Sequence, residues 1–251
     1  MLKWLRQLFG WDREPGPVED LPSPYTARDA EKLTGATMAA EAPSAAPLLR
    51  PQLQRELGWD YLAEGQDVVV IDTETTGTSR HDRIVSFAGI VLLAPDYQPA
   101  DWLHLVFNPG RPSHPMAARV HGLSDVYLAR QPSFAAHGKQ IKAFLKGRPV
   151  AGYNVAFDLR MLDQSLRAVG MPGFGRRDGT YCVMEEWCYR RQVPSAKLDD
   201  VLRQIGLRRT GAHHGAFEDA ALTAAVLQWL HGHQDLRVLN AAAHPFQNAV
   251  A

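Results

Sequence analysis

The run Val68-Val69-Val70-Ile71-Asp72-Thr73-Glu74-Thr75-Thr76-Gly77 constrains this chain more than any other stretch. Four β-branched residues in succession predict a buried strand. Asp72 and Glu74 are two apart, so on an extended backbone both carboxylates leave the same face. Two like charges side by side repel, and the cost grows where water is thin. A fold that keeps them together calls for a cation. Thr75-Thr76-Gly77 then ends the strand, with Gly77 allowing a turn and the close approach of another backbone or a ligand. Taken alone, an Asp-x-Glu pair reads most simply as a solvated strand end.

Two later stretches change that reading. Gly152-Tyr153-Asn154-Val155-Ala156-Phe157-Asp158 follows a second apolar run, and His213-His214-Gly215-Ala216-Phe217-Glu218-Asp219 precedes a helical one. Each places one more acid at an element boundary, and the last adds a histidine five residues before its acid. Four carboxylates and an imidazole, with no cysteine among them, suit hard divalent cations such as Mg²⁺ or Mn²⁺ and not structural zinc.

These residues resemble the DEDDh (DnaQ-like) family of 3′→5′ exonucleases. The family's D-x-E-T-T-G stands here as Asp72 to Gly77, its N-x-x-F-D as Asn154 to Asp158, and its H-x-x-x-x-D as His214 to Asp219. A subsidiary H-G-[IL] lies between the first two as His121-Gly122-Leu123. The resemblance runs from about Gln66 to Leu230. It implies an α/β, ribonuclease H-like exonuclease fold, with a mixed five-stranded sheet flanked by helices.

The same resemblance assigns roles. Asp72, Glu74, Asp158 and Asp219 would hold two divalent cations, Mg²⁺ or Mn²⁺, with Asp72 bridging them. His214 would be the general base; an imidazole titrates near 6.5 and accepts a proton near neutrality. His213 is equally able by chemistry, and only the motif spacing selects His214. Gly215 is expected to give the loop freedom to place the imidazole, ahead of a helix that starts near Ala216. Thr75, Thr76 and Gly77 are expected to offer backbone N–H groups and a close surface to the terminal nucleotide. Phe157 packs either against a base or into the core, and Asn154 either orients the site or caps a local turn. His121 is expected in a loop near the sugar. The implied activity is hydrolysis at single-stranded 3′ ends, DNA favoured over RNA, releasing nucleoside 5′-monophosphates. The enzymatic alternative is a 3′→5′ exoribonuclease.

Charge does not advertise nucleic-acid binding, since Lys+Arg and Asp+Glu both number 27. An enzyme that grips a strand end through metal ions needs less basic surface than one that coats a duplex. The basic pairs Arg176-Arg177, Arg190-Arg191 and Arg208-Arg209 could line a phosphate groove, though each reads most simply as ordinary surface. Asp163, Glu185, Glu186, Asp199 and Asp200 read as solvated helix faces. The two cysteines, Cys182 and Cys188, are too few for a zinc ribbon or disulfide framework and read as free thiols in a reducing compartment. No apolar run reaches transmembrane length, and a cytoplasmic location is expected.

Along the chain, residues 1–65 read as an N-terminal amphipathic segment from Met1 to Trp11, a Pro- and Ala-rich linker and a lead-in helix. The first segment carries two tryptophans and suggests a protein partner, a polymerase among the candidates; in the rival reading this recruitment is the main role. Residues 66–231 form the exonuclease domain. Strands are expected over residues 84–93 and 103–107 as an antiparallel meander. Helices are expected over residues 134–145, 157–169 and 216–230, with a short strand at 149–152. Residues 180–190 and 198–205 form helices or a strand–helix pair. Residues 232–251 read as a tail.

Overall fold

The computed structural model describes residues 65–174 and 179–233. The expectations for residues 1–64 and for the tail beyond residue 233 lie outside the described residues.

The β-branched run forms β1 (Val68–Thr75), followed by β2 (Ile84–Leu93) and β3 (Gln98–Val106). Two short helices come next, α1 (Pro115–His121) and α2 (Asp125–Ala129), and then α3 (Phe134–Leu145). β4 (Val150–Gly152) leads into α4 (Val155–Ala168), and β5 (Thr180–Cys182) into α5 (Val183–Arg191). The last elements are α6 (Leu198–Gln204) and α7 (Ala216–Leu230). The sheet is mixed and five-stranded, in the order β3-β2-β1-β4-β5. β1–β2 and β2–β3 are antiparallel, whereas β1–β4 and β4–β5 are parallel. This is the ribonuclease H-like α/β architecture expected from the motifs.

The alternation along β1 determines what each layer contains. Val68 and Val70 bury into a core shared with α7, α5 and α6, including Val226, Leu227, Trp187 and Leu202. Val69 and Ile71 point the other way, into a core with Ile141 and Leu145 of α3 and Leu162 and Leu166 of α4. Burying each such aliphatic side chain is worth about 1.5–3 kcal/mol. Extending the same period-two pattern sends Asp72 and Glu74 toward α7, and Thr73 toward α4.

Several boundaries differ from expectation. β3 begins at Gln98, five residues early, because an edge strand tolerates Pro99 and exposed polar residues. α1 and α2 were not legible as periodic segments; they are seven and five residues long. Glu186 is not on a solvated face. It is fully buried and pairs with Arg190 Nε at 2.5 Å, while the Arg190 guanidinium also donates to the Leu230 carbonyl. Nearby, Arg191 lies over the rings of both Trp187 and Trp229. Both cysteines are free thiols. Among the described residues, no helix is long and apolar enough to cross a membrane.

Candidate active site

β1 lies in the middle of the sheet and delivers the acid pair at its end. The β1–β2 ladder runs regularly from Val68↔Leu92 to Glu74↔Ser86 and then shifts between Glu74 and Thr75. Such an irregularity at a strand end re-aims the chain into the following turn. α7 packs across β1 and β2 and brings Asp219 onto the same face on its first turn. One carboxylate oxygen from each of Asp72, Glu74 and Asp219 lies within 4.8 Å of the other two. Glu74 and Asp219 are buried and Asp72 is half-buried.

Asp158 arrives from the other layer. The chain turns from β4 into α4 at Asn154, whose φ of 70° is left-handed, a conformation asparagine tolerates better than most residues. Of the two roles weighed for Asn154, side-chain capping is absent: it forms no cap hydrogen bond. The turn puts Asp158 in the first turn of α4, nearly fully buried, where Thr73 Oγ1 donates to its Oδ1 at 2.7 Å. Three of the four expected acids therefore cluster tightly. The fourth stands beside Asp72, held by the threonine between the two strand acids.

The electrostatics follow from crowding. Burial pushes the Asp72 carboxyl up to about 7, against the pull of the Arg209 guanidinium. Burial, reinforced by the Asp72 charge, raises Glu74 to about 8, again opposed by Arg209. Asp158 is raised well above the carboxylate range, first by burial and then by Asp72, against the Thr73 hydrogen bond. Carboxyls that resist ionising in a metal-free site gain most from a hard cation. The donor set, all carboxylate oxygens at short mutual range, fits Mg²⁺ or Mn²⁺.

The two histidines separate clearly. His214 Nδ1 lies 3.3 Å from Asp219 Oδ2, and its backbone N–H donates to the Val120 carbonyl of α1. His213 turns away: its Nδ1 is 3.2 Å from the Arg119 carbonyl, and its ring lies where a side chain on Gly122 would be, 2.7 Å from an added Cβ. Gly122 has φ 71° at the end of α1, so the position suits glycine on both counts. Burial, and then Arg209, hold the His214 imidazole below its ordinary value, so it is neutral near pH 7.

Other expected contacts are redistributed. The N–H of Thr76 donates to the Arg83 carbonyl and its hydroxyl to Asp82 Oδ1, so neither is open to a nucleotide. Thr75 Oγ1 donates to the Gly77 carbonyl. Gly77 does serve a close approach, but its neighbour is Asp82, whose carboxylate would lie 2.7 Å from an added Cβ. His121 is not in a loop; it is the buried last residue of α1, and its Nδ1 accepts the Leu123 N–H at 3.0 Å. Phe157 is half-buried against the α3–α4 core, with Arg160 over its ring. Gly215 has φ −136°, extended backbone open to any residue, so the loop needs no glycine there for freedom.

Sequence reasoning missed two residues. Thr73 was overlooked between the acids, although the strand period alone turns it toward α4. Arg209, read as surface, points inward. Its Nε donates to Asp199 Oδ1 at 2.7 Å and its Nη1 pairs with Asp219 Oδ1.

The exonuclease family model (RNase_T) matches residues 69–227. The chain belongs to that family, in its DnaQ-like branch. Among curated relatives it is similar to the DNA polymerase III subunit epsilon of Haemophilus influenzae, 27% identical over 176 residues, covering 66% of this chain and 68% of that one. The Rickettsia prowazekii subunit of the same name is 27% identical over 169 residues, covering 65% and 73%. Among solved structures, Escherichia coli exonuclease I in complex with a dA13 oligonucleotide superposes with a TM-score of 0.58 at 18% identity. That match covers 70% of this chain but only 42% of exonuclease I, and it speaks to the fold.

Proposed function

We propose that this chain is a metal-dependent 3′→5′ exonuclease that removes nucleoside 5′-monophosphates from single-stranded 3′ ends, DNA in preference to RNA. The observation that carries this is the convergence of Asp72, Glu74 and Asp219 within 4.8 Å, with His214 against Asp219. Asp72, Glu74 and Asp219 would hold one divalent cation, and Asp72 with the adjoining Asp158 a second. When bound, such cations activate an attacking water and stabilise the departing oxygen.

The protein's own residues supply the rest. His214 presents Nδ1 to Asp219, which orients the ring and leaves Nε2 to take the proton from water. Its depressed pKa keeps that nitrogen unprotonated at neutral pH. Thr73 steadies the Asp158 carboxylate, whose ionisation Asp72 also opposes, by donating to its Oδ1. Asp82 locks the loop after β1 by accepting from Thr76 Oγ1 and the Ser79 N–H, each at 2.8 Å. That loop leads directly out of the acid pair.

The names of the relatives, subunits of a DNA polymerase, favour DNA and a proofreading or repair setting. A polymerase or other protein partner would be engaged through residues 1–11. The test is a matched set of 5′- and 3′-labelled DNA and RNA oligonucleotides, incubated with Mg²⁺, Mn²⁺ or EDTA. A 5′-labelled ladder shortening from the 3′ end, seen only with metal and faster on DNA, is expected. Faster loss of RNA would replace the substrate assignment. No cleavage with either metal would sink the enzymatic reading.

A further inference from the structure

Arg209 occupies an unusual place for a surface-type residue. Its side chain is only 11% exposed. It lies between two carboxylates from different helices, Asp199 in the first turn of α6 and Asp219 in the first turn of α7. Nε is held by Asp199 at 2.7 Å, and Nη1 reaches Asp219 Oδ1 inside the acid cluster. The next two residues are anchored as well. Thr210 donates both its N–H and its hydroxyl to Glu218 Oε1 at 2.6 Å, and the Gly211 N–H reaches the same oxygen at 3.3 Å. Glu218 directly precedes Asp219, so the backbone carrying Arg209 is fastened to the helix that carries the acid. The guanidinium can leave Asp219 only by rotating its side chain.

Among the described residues, His214 aside, the Arg209 guanidinium is the only cationic side chain that forms an ion pair with any of Asp72, Glu74, Asp158 and Asp219. A divalent cation seated among Asp72, Glu74 and Asp219 needs an Asp219 oxygen and repels a neighbouring positive charge. The two cannot both be fully satisfied.

We propose that Arg209 is a tethered counter-cation that competes with the metal for Asp219, and so sets the metal concentration at which the site fills. The proposal rests on the metal-site reading above. Without metal, Arg209 offsets the repulsion among the acids. With metal, Nη1 yields Asp219 while Nε keeps Asp199, which holds the guanidinium within one side-chain rotation of the cluster. An arginine suits this role because its planar fork can serve two carboxylates at once; a lysine is a single point of charge.

The experiment is calorimetric titration of Mn²⁺ into the full chain without nucleic acid, for wild type, Arg209→Gln and Arg209→Lys, with thermal midpoints taken in EDTA and in Mn²⁺. Arg209→Gln is expected to bind Mn²⁺ about ten-fold or more tightly than wild type, a shift of about 1.4 kcal/mol. It should also melt lower in EDTA and gain more from Mn²⁺. Arg209→Lys should fall between the two, and it carries the test if the glutamine variant does not fold. Equal or weaker Mn²⁺ binding by the variants, with wild-type binding measurable, overturns the role of Arg209 alone. Absence of Mn²⁺ binding by every protein overturns the metal-site reading itself, and this proposal with it.

Discussion

Thr73 Oγ1 donates to Asp158 Oδ1 at 2.7 Å across the junction between β1 and α4, on the opposite side of the strand from its neighbours Asp72 and Glu74. One three-residue segment thus serves both layers: two acids face α7 and the intervening hydroxyl steadies the acid of α4. Replacing Thr73 by Val keeps the β-branched shape and removes the donor. Asp158 would then lose a hydrogen bond in a nearly fully buried position, which costs about 1–3 kcal/mol. Chemical denaturation in EDTA should show that loss, and a wild-type midpoint would show the bond to be dispensable.

The histidines give a sharp contrast. His214→Ala should lower kcat by about 100- to 10,000-fold, the usual range for a general base, while Mn²⁺ affinity measured by calorimetry changes little. His213→Ala should leave kcat near wild type, because that ring packs on Gly122 and Arg119 and not on the acids. The reverse pattern would mean that the base has been misassigned.

Neutralising one strand acid should separate stability from function. Asp72→Asn removes a charge that burial already disfavours and that raises its neighbours. In EDTA the variant should melt above wild type at about pH 8, where the wild-type Asp72 carboxyl is ionised. It should also lose the Mn²⁺-dependent rise in melting temperature, together with cleavage. A variant that still cleaves at the wild-type rate would contradict the site.

The pH dependence has a definite sign. Asp72 and Glu74 titrate at about 7 and about 8 in the folded, metal-free chain, against ordinary values of 3.8 and 4.5. Between the ordinary and the raised values the folded state binds more protons than the unfolded one. Stability in EDTA should therefore fall as pH rises from about 4 to about 8. Metal displaces those protons, so Mg²⁺ should offset the fall and bind more tightly at the upper end of the window. Thermal midpoints from about pH 5 to about pH 9, with and without Mg²⁺, check both statements. A flat profile in EDTA would argue that the carboxyls ionise freely.

Gly77→Ala should be costly without any backbone strain. The added methyl would meet Asp82 Oδ2 at 2.7 Å, and that carboxylate is already fixed by Thr76 and Ser79. A loss of about 1–3 kcal/mol is expected from such overpacking. In an Asp82→Ala background the same change should cost much less, because the obstacle is gone. Additive losses in urea denaturation would place the clash elsewhere.

Much of the site was legible because strand and helix periods are local properties. The alternation in β1 put Asp72 and Glu74 on one face, and α3 and α7 begin and end where their apolar spacing suggested. Only the motif resemblance joined Asp219 to the pair, because α7 is apolar on nearly every side. What stayed hidden depends on partners distant in sequence. Glu186 looks like a solvated helix acid until Arg190 and the end of α7 enclose it. Arg209 looks like half of a basic surface pair until α6 and α7 bracket it. Thr76 looked available to a nucleotide until Arg83 and Asp82, across the turn, took its polar groups. α1 escaped notice because seven residues give too few turns for a period, although His114 and Pro115 at its start are a recognisable opening.

Having partners along both edges, antiparallel β2 and parallel β4, also protects β1 from mispairing. A slip of a single residue would swing Thr73 and Thr75 onto the face of the acid cluster and drive Asp72 and Glu74 among the aliphatics of α3 and α4. Two neighbours enforce the alignment, so such an error would dismantle the sheet. Damage of this kind should surface as vanished protein, and seldom as an intact but idle nuclease.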